Sequence, residues 1–279
     1  MTAPTVVSRF RFDPPQLETL SLEAARGDVV VMRINRPERM NSQTVRMFHE
    51  HGIVARALRD SHARALIITG AGERAFCAGF DLAELDVITT MGVRDFLKFQ
   101  EIATGGIAAL RALPFPVIAA IHGPATGGGF ALALSADVRL AAPTAKFAAS
   151  FVKVGLSAGE LGTSWNLSRL VGPGRAAEIM YTARVVGAGE AERIGLVNRV
   201  VPSERLLDEA LELATAMAAN SPSGVTFSKR AIQRNLEIGS YRAAMELENR
   251  GQALLTRTPD MPEALAAFEQ RRPPHFTGE

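Results

Sequence analysis

An α/β fold is predicted by three features of the sequence. Short, almost wholly apolar runs rich in β-branched residues recur along the first two thirds. Amphipathic helical stretches separate them. After about residue 202 only helical patterns remain. Strands that are apolar throughout, rather than alternating, imply a sheet covered on both faces. The expected organisation is a lead-in over 1–28, a core over 29–202 and a helical region over 203–279.

The elements follow in order. The polar N-terminal stretch with Pro14-Pro15 reads as a loose lead-in. Gly27-Asp28 turns into "VVVMRI" (29–34), a strand ended by "NRPER". Residues 42–60 read as a helix, with Met47, Val54 and Leu58 on one side and Phe48 beside them. "ALIIT" (65–69) is the second strand and runs into the loop "GAGERAFCAG". A helix over 92–112 presents Phe96, Phe99, Ala103, Ile107 and Leu110. "PFPVIAAI" (114–121) is a third strand, kept extended by its prolines. "GPATGGGFALALSAD" (123–137) opens with glycines and becomes a short helix to about Ala136. "VRLAA" (138–142) and "VNRVVP" (197–202) complete the strands. Helices are predicted over 203–219, 222–237, 240–255 and 259–270, two of them with proline near the start, where a missing N–H is harmless.

Composition narrows the function classes. At 279 residues, 47% hydrophobic and 22% charged, the chain can bury a large core. The 31 basic residues barely exceed the 29 acidic ones and form no tract suited to a nucleic-acid groove. Cys77 is the only cysteine, so no intrachain disulfide can form. That fits a reducing, cytoplasmic setting, with Cys77 as a small core filler. The N-terminus carries no secretory h-region and no stretch is apolar enough for a membrane span. His49 and His51 make no metal-ligand spacing with a nearby acid on one helix face, and no metal site is expected. A serine hydrolase would need G-x-S-x-G, which is missing.

Two glycine-rich loops invite chemistry. Gly70-Ala-Gly72-Glu-Arg-Ala75 fits G-x-G-x-x-A, but "FCAGF" interrupts the helix that a dinucleotide site requires. The better reading takes two loops together. "AFCAGFDL" (75–82) and "HGPATGGGFAL" (122–132) each follow an apolar strand and can offer backbone N–H groups with little Cβ in the way. Two converging donors would hold an oxyanion.

These segments resemble the crotonase superfamily, the enoyl-CoA hydratases and isomerases. The resemblance runs through "VVMRINRPERMNS" (30–42), "ALIITGAGERAFCAGFDL" (65–82), "FPVIAAIHGPATGGGFALALSADVRLAAPTAKF" (115–147), "VGLSAGELGTSWNLSRLVGPGRAAEIM" (154–180), "AERIGLVNRVV" (191–201) and "FEQRRPPHF" (268–276). It implies a ββα spiral with a C-terminal helical region, an acyl-CoA substrate, no separate cofactor, and a homotrimer or dimer of trimers. The long apolar content of 203–219 (Leu206, Leu207, Leu211, Leu213, Ala214, Met217) suggests that the helical end is not a free arm.

By the same resemblance, the thioester oxygen would accept hydrogen bonds from Phe80 N–H and Gly128 N–H. Ala78, Gly79, Asp81 and Leu82 would line the CoA moiety, with Arg39 near its phosphates. Asp81 is also placed to cap a helix starting near Leu82. The hydratases of the family use two glutamates to hold and deliver water; those positions are Ala131 and Phe151 here. One acid remains in a suggestive place, Glu160. It reads either as a lone general acid/base or as an acid at a helix N-terminus capping the turn before Thr163. The chain is therefore expected to process acyl-CoA by one-carboxylate, isomerase-like chemistry. The alternative is an acyl-CoA-binding homologue that has lost the acids.

Overall fold

The computed structural model describes residues 13–279; the first twelve residues of the expected lead-in lie outside the described residues. The spine is a six-stranded sheet. β1 (Leu20–Ala25) pairs antiparallel with β2 (Val29–Ile34). After α1 (Val45–Arg59) comes β3 (Ala65–Gly70), parallel to β2. α2 (Leu85–Thr90) and α3 (Val93–Arg111) lead to β4 (Val117–Ile121), parallel to β3. β5 (Pro124–Thr126) and α4 (Gly128–Ser135) follow, then β6 (Val138–Ala141), parallel to β4. β7 (Lys146–Ala148), α5 (Thr163–Val171), α6 (Pro173–Thr182), β8 (Val186–Gly187) and α7 (Ala188–Arg193) precede β9 (Arg199–Val200), which closes the sheet beside β6. Its order is β1-β2-β3-β4-β6-β9, and β5-β7-β8 form a second, three-stranded sheet. The chain ends in α8 (Leu206–Ala218), α9 (Pro222–Asn235), α10 (Tyr241–Leu255) and α11 (Asp260–Glu269).

The apolar strands are two-sided. Val30, Met32, Ile34, Leu66, Ile68, Val117, Ala119 and Ile121 face the cluster built on α1, α3 and α4. Their neighbours Val29, Val31, Ala65, Ile67, Ile118 and Ala120 face α8 through Leu206, Ala210 and Ala214. Burial on both faces removes the need for polar alternation. It also revises the reading of residues 203–219: the apolar side of α8 is covered by the sheet of its own chain. The exposed large apolar side chains of the helical end lie instead beyond α8, among them Ile232, Tyr241, Leu254, Leu265 and Phe268.

Several elements differ from expectation. Residues 20–25, assigned to the lead-in, form edge strand β1, whose outer positions are only partly buried. The third strand starts at Val117 rather than at 114, and the last shrinks to Arg199–Val200. The sequence pattern predicts no element between 143 and 196, where α5, α6 and α7 lie and where β7 and β8 have three and two residues, too few to show a period. Helix 42–60 begins at Val45, because Thr44 accepts from Met47 N at 3.1 Å as its N-cap.

Glu50 on α1 fastens the start of β1: its carboxylate accepts from Glu18 N, Thr19 N and Thr19 Oγ1 at 2.8, 3.0 and 2.6 Å. Beside it His51 is fully buried, and neither ring nitrogen has a partner. Burial pushes its pKa down from 6.5 to about 4, against the smaller opposing pull of Glu50. An unfolded chain therefore takes up a proton that the folded chain refuses. The His51 contribution to stability is complete above about pH 6.5 and is lost as pH falls toward 4, by on the order of 3 kcal/mol. Denaturant unfolding at stepped pH should show this slope in the wild type and a shallower one in His51→Leu. Equal slopes would mean that His51 ionises freely in the folded protein.

Candidate active site

The two glycine loops meet. The segment after β3 is fixed by Asn41, whose amide donates to Ala71 O at 2.9 Å and Ala75 O at 2.7 Å. Cys77 then pairs with β5 through Cys77 N to Pro124 O and Thr126 N to Cys77 O, each 3.0 Å. On its other side Gln43 N donates to Gly79 O at 2.6 Å and Asp81 N donates to Gln43 O at 2.8 Å. These bonds bracket Phe80, and Phe80 N–H takes no part in them. The Phe80 ring stacks on Phe48 at 6.2 Å and meets Phe99 edge-on at 6.1 Å, which fixes the residue by its side chain.

The glycines of the second loop are required by this approach. Gly127 has φ 51° and ψ −121°, a region closed to side chains. A Cβ on Gly129 would lie 2.7 Å from Cys77 Cβ, and one on Gly128 would collide with Gln43 Oε1. On the facing loop, a Cβ on Gly79 would lie 2.8 Å from Thr126 O and 3.6 Å from Gly128 N. Gly128 is the first residue of α4, so its N–H has no intrahelical acceptor and stands at the positive end of the helix dipole.

A cavity of about 150 Å³ opens over this junction. It is lined by Ala78, Gly79, Phe80, Leu82 and Gly128, all singled out from the sequence, and by Glu160. Glu160 is the only carboxylate on that lining among the described residues. Its carboxyl is half-buried, and burial raises its pKa above the ordinary glutamate value, moderated by a hydrogen bond from Gln100. The capping alternative finds no geometry: the N-cap of α5 is Gly162, without a side-chain cap, and Glu160 contributes only its backbone carbonyl, to Thr163 N at 2.8 Å. Leu161 follows with φ 50°, a left-handed conformation uncommon for leucine, and also lines the cavity.

The remaining residues fall around it. Asp81 and Arg39 are not on the cavity lining. The Asp81 carboxylate is buried between Arg39 Nη2 at 2.8 Å and Arg36 Nη2 at 2.9 Å, and it accepts from Ala83 N, so it caps the 3-10 turn Leu82–Glu84. The hydrogen bond from Arg39 leads the effects that hold its pKa well below the carboxylate range. Ala131 is buried inside α4, whereas Phe151 is on the cavity lining. Cys77 is buried and its thiol is pushed up to about 12, which leaves it inert. Sequence reasoning missed Gln43 and Gln100, which both line the cavity. Gln43 has no exposed surface and neither amide atom has a partner, a cost of about 1–3 kcal/mol for each unsatisfied group. No local pattern marks it, since its position depends on pairing with residues 79 and 81.

The family model described as Enoyl-CoA hydratase/isomerase matches residues 24–279. The chain belongs to that family. It is 40% identical over 264 residues to the probable enoyl-CoA hydratase EchA12 of Mycobacterium tuberculosis, covering 92% of each chain. It is 38% identical over 248 residues to the short-chain-enoyl-CoA hydratase of Clostridium acetobutylicum, covering 88% of this chain and 93% of that protein. The crystal structure of an enoyl-CoA hydratase from Bacillus anthracis superposes with a TM-score of 0.88 at 34% identity, over 94% of this chain and 100% of that one. The crotonase-type fold with a helical C-terminal region is thereby established. Among the described residues no helix is long and apolar enough to cross a membrane.

Proposed function

We propose that this enoyl-CoA hydratase/isomerase homologue converts acyl-CoA thioesters through an enolate, with Glu160 as its single proton carrier. The observation that carries the reading is the lining of one cavity by Phe80, Gly128 and Glu160 with no second carboxylate among the described residues. In this reading the thioester oxygen accepts from Phe80 N–H and Gly128 N–H. Charge developing on that oxygen is met by two fixed donors and a helix N-terminus, which makes the C2 proton removable. Glu160 takes that proton from a 3-enoyl thioester, and the electron pair delocalises to the thioester oxygen as a dienolate. The same carboxyl returns the proton at C4, giving the 2-enoyl isomer. A carboxyl whose pKa lies above the ordinary value suits both steps. Ala131 and Phe151 cannot hold a water, which argues against two-acid hydration. Ala78 to Leu82 would border the CoA moiety, and Asp81 would hold Arg39 beside it.

The test is product analysis by NMR after incubation with 3-hexenoyl-CoA and with 2-hexenoyl-CoA. Interconversion of the two supports the reading. Formation of 3-hydroxyhexanoyl-CoA alone would assign hydration, and tight binding without turnover would assign the binding homologue.

Self-association is the companion proposal. The exposed apolar side chains of α9, α10 and α11 are the surface on which we place a trimer or dimer of trimers. Light scattering at micromolar concentration should give three or six times the 29.9 kDa chain mass; a monomer mass would refute it.

A further inference from the structure

We propose that the Gln43 side chain is a third hydrogen-bond donor to the enolate oxygen, beside the N–H groups of Phe80 and Gly128. The proposal deepens the enolate reading above and rests on it.

Three observations converge. First, the carboxamide is fully buried, without any protein partner for Oε1 or Nε2, and it faces the cavity that holds Glu160. Buried polar groups are almost always paired, and one left open in a ligand-sized cavity points to a partner that the ligand supplies. Second, the backbone of Gln43 is clamped to both neighbours of Phe80, through Gly79 O at 2.6 Å and Asp81 N at 2.8 Å. Its position relative to that donor is therefore fixed. Third, the carboxamide occupies the space that a side chain on Gly128 would fill: a Cβ there would collide with Oε1 and sit 3.2 Å from Cδ. The amide thus packs against Gly128 while the Gln43 backbone is paired on either side of Phe80. The terminal torsion of glutamine is soft and roughly two-fold, so a half-turn presents Nε2–H where Oε1 now lies, toward an atom bound by Gly128 N–H.

The chemistry favours an oxyanion over other acyl features. Most of the cavity lining is aromatic or aliphatic, with Phe48, Phe99 and Leu161 among it. A carboxamide donor in such surroundings gains most when the acceptor bears charge. It would contribute little to a neutral ground-state carbonyl and more to the enolate, the difference on which rate acceleration depends.

The probe is acetoacetyl-CoA, which ionises when its C2–H bond breaks, the proton passes to buffer and the electron pair spreads over the two oxygens. The enolate absorbs in the near ultraviolet, so its bound fraction can be followed against pH on the full chain. Butyryl-CoA, which stays neutral, reports ground-state affinity. In Gln43→Met, butyryl-CoA affinity should stay within a few fold of wild type. The enolate-to-neutral ratio of bound acetoacetyl-CoA should fall about 10- to 100-fold. The ligand-free protein should melt at the same or a higher temperature, because an unpaired buried amide has been replaced by an apolar chain of similar length. Gln43→Asn, which keeps the amide and draws it back by one carbon, should lose the enolate as well. An unchanged ratio in a folded Gln43→Met overturns the proposal. So does a Gln43→Met that fails to fold while Gln43→Asn keeps the full enolate fraction, which would make the amide structural. If the wild type binds neither thioester, the acyl-CoA reading itself fails, and this is seen before Gln43 is touched.

Discussion

Glu160→Gln is expected to lower turnover by about 10²- to 10⁴-fold, the usual contribution of a positioned general base, while acyl-CoA affinity changes only a few fold. The substitution keeps shape and hydrogen bonding to Gln100 but removes the ability to carry a proton. The structure makes the split between rate and affinity sharp. Glu160 caps no helix, so no cap is lost, and it is the only carboxylate on the cavity lining among the described residues, so no neighbour can substitute. The pH profile gives a second reading of the same residue. Burial raises the Glu160 pKa above the ordinary glutamate value, so the acidic limb of kcat/KM should lie above the range of a free glutamate and vanish in Glu160→Gln. Steady-state kinetics alongside calorimetric binding would check both. Turnover that survives the substitution would make Glu160 a bystander.

The second large effect concerns Gly128. Gly128→Pro removes an N–H at a first helical position, where proline is otherwise well accommodated. The side chain it adds also displaces Gln43, as would that of Gly128→Ala. Comparing the two isolates the donor, because alanine keeps the N–H. Turnover of Gly128→Pro should fall below that of Gly128→Ala by about 10²- to 10³-fold. Melting curves would show whether both are folded. If the two folded variants turn over equally, the Gly128 N–H holds nothing in the transition state.

What the sequence discloses follows what it encodes locally. β2, β3 and β4 are legible because burial on both faces writes apolar runs that only Arg33 and Thr69 interrupt. α1 and α3 are legible because one buried side imposes a helical period. The two glycine loops are legible for a different reason: a close backbone approach excludes side chains, and the exclusion is visible as Gly79 and Gly127-Gly128-Gly129. β1 escapes because an edge strand reading "LSLEAA" buries little and mixes polar with apolar positions. β7 and β8 escape because their pairing is set by partners and not by pattern. Within the site, the setting of Glu160 depends on Gln100 from α3, sixty residues earlier in the chain, and on the left-handed Leu161 beside it. Gln43 is hidden in the same way, since only the pairing of residue 43 with residues 79 and 81 brings it to Gly128. The apolar look of α8 misleads about its partner, because a helix pattern shows that a face is buried and not whether its own sheet or another subunit covers it.

The central claim is that one cavity presents the thioester oxygen to two backbone donors and the acyl α-carbon to one carboxylate. A crystal structure with bound butyryl-CoA tests it most directly. The account predicts a thioester oxygen about 2.7–3.1 Å from both Phe80 N and Gly128 N, with the Glu160 carboxylate in reach of C2 directly or through one water. An acyl group bound with its carbonyl away from these two nitrogens, or with C2 facing Phe151 and Glu160 turned from it, would contradict the account.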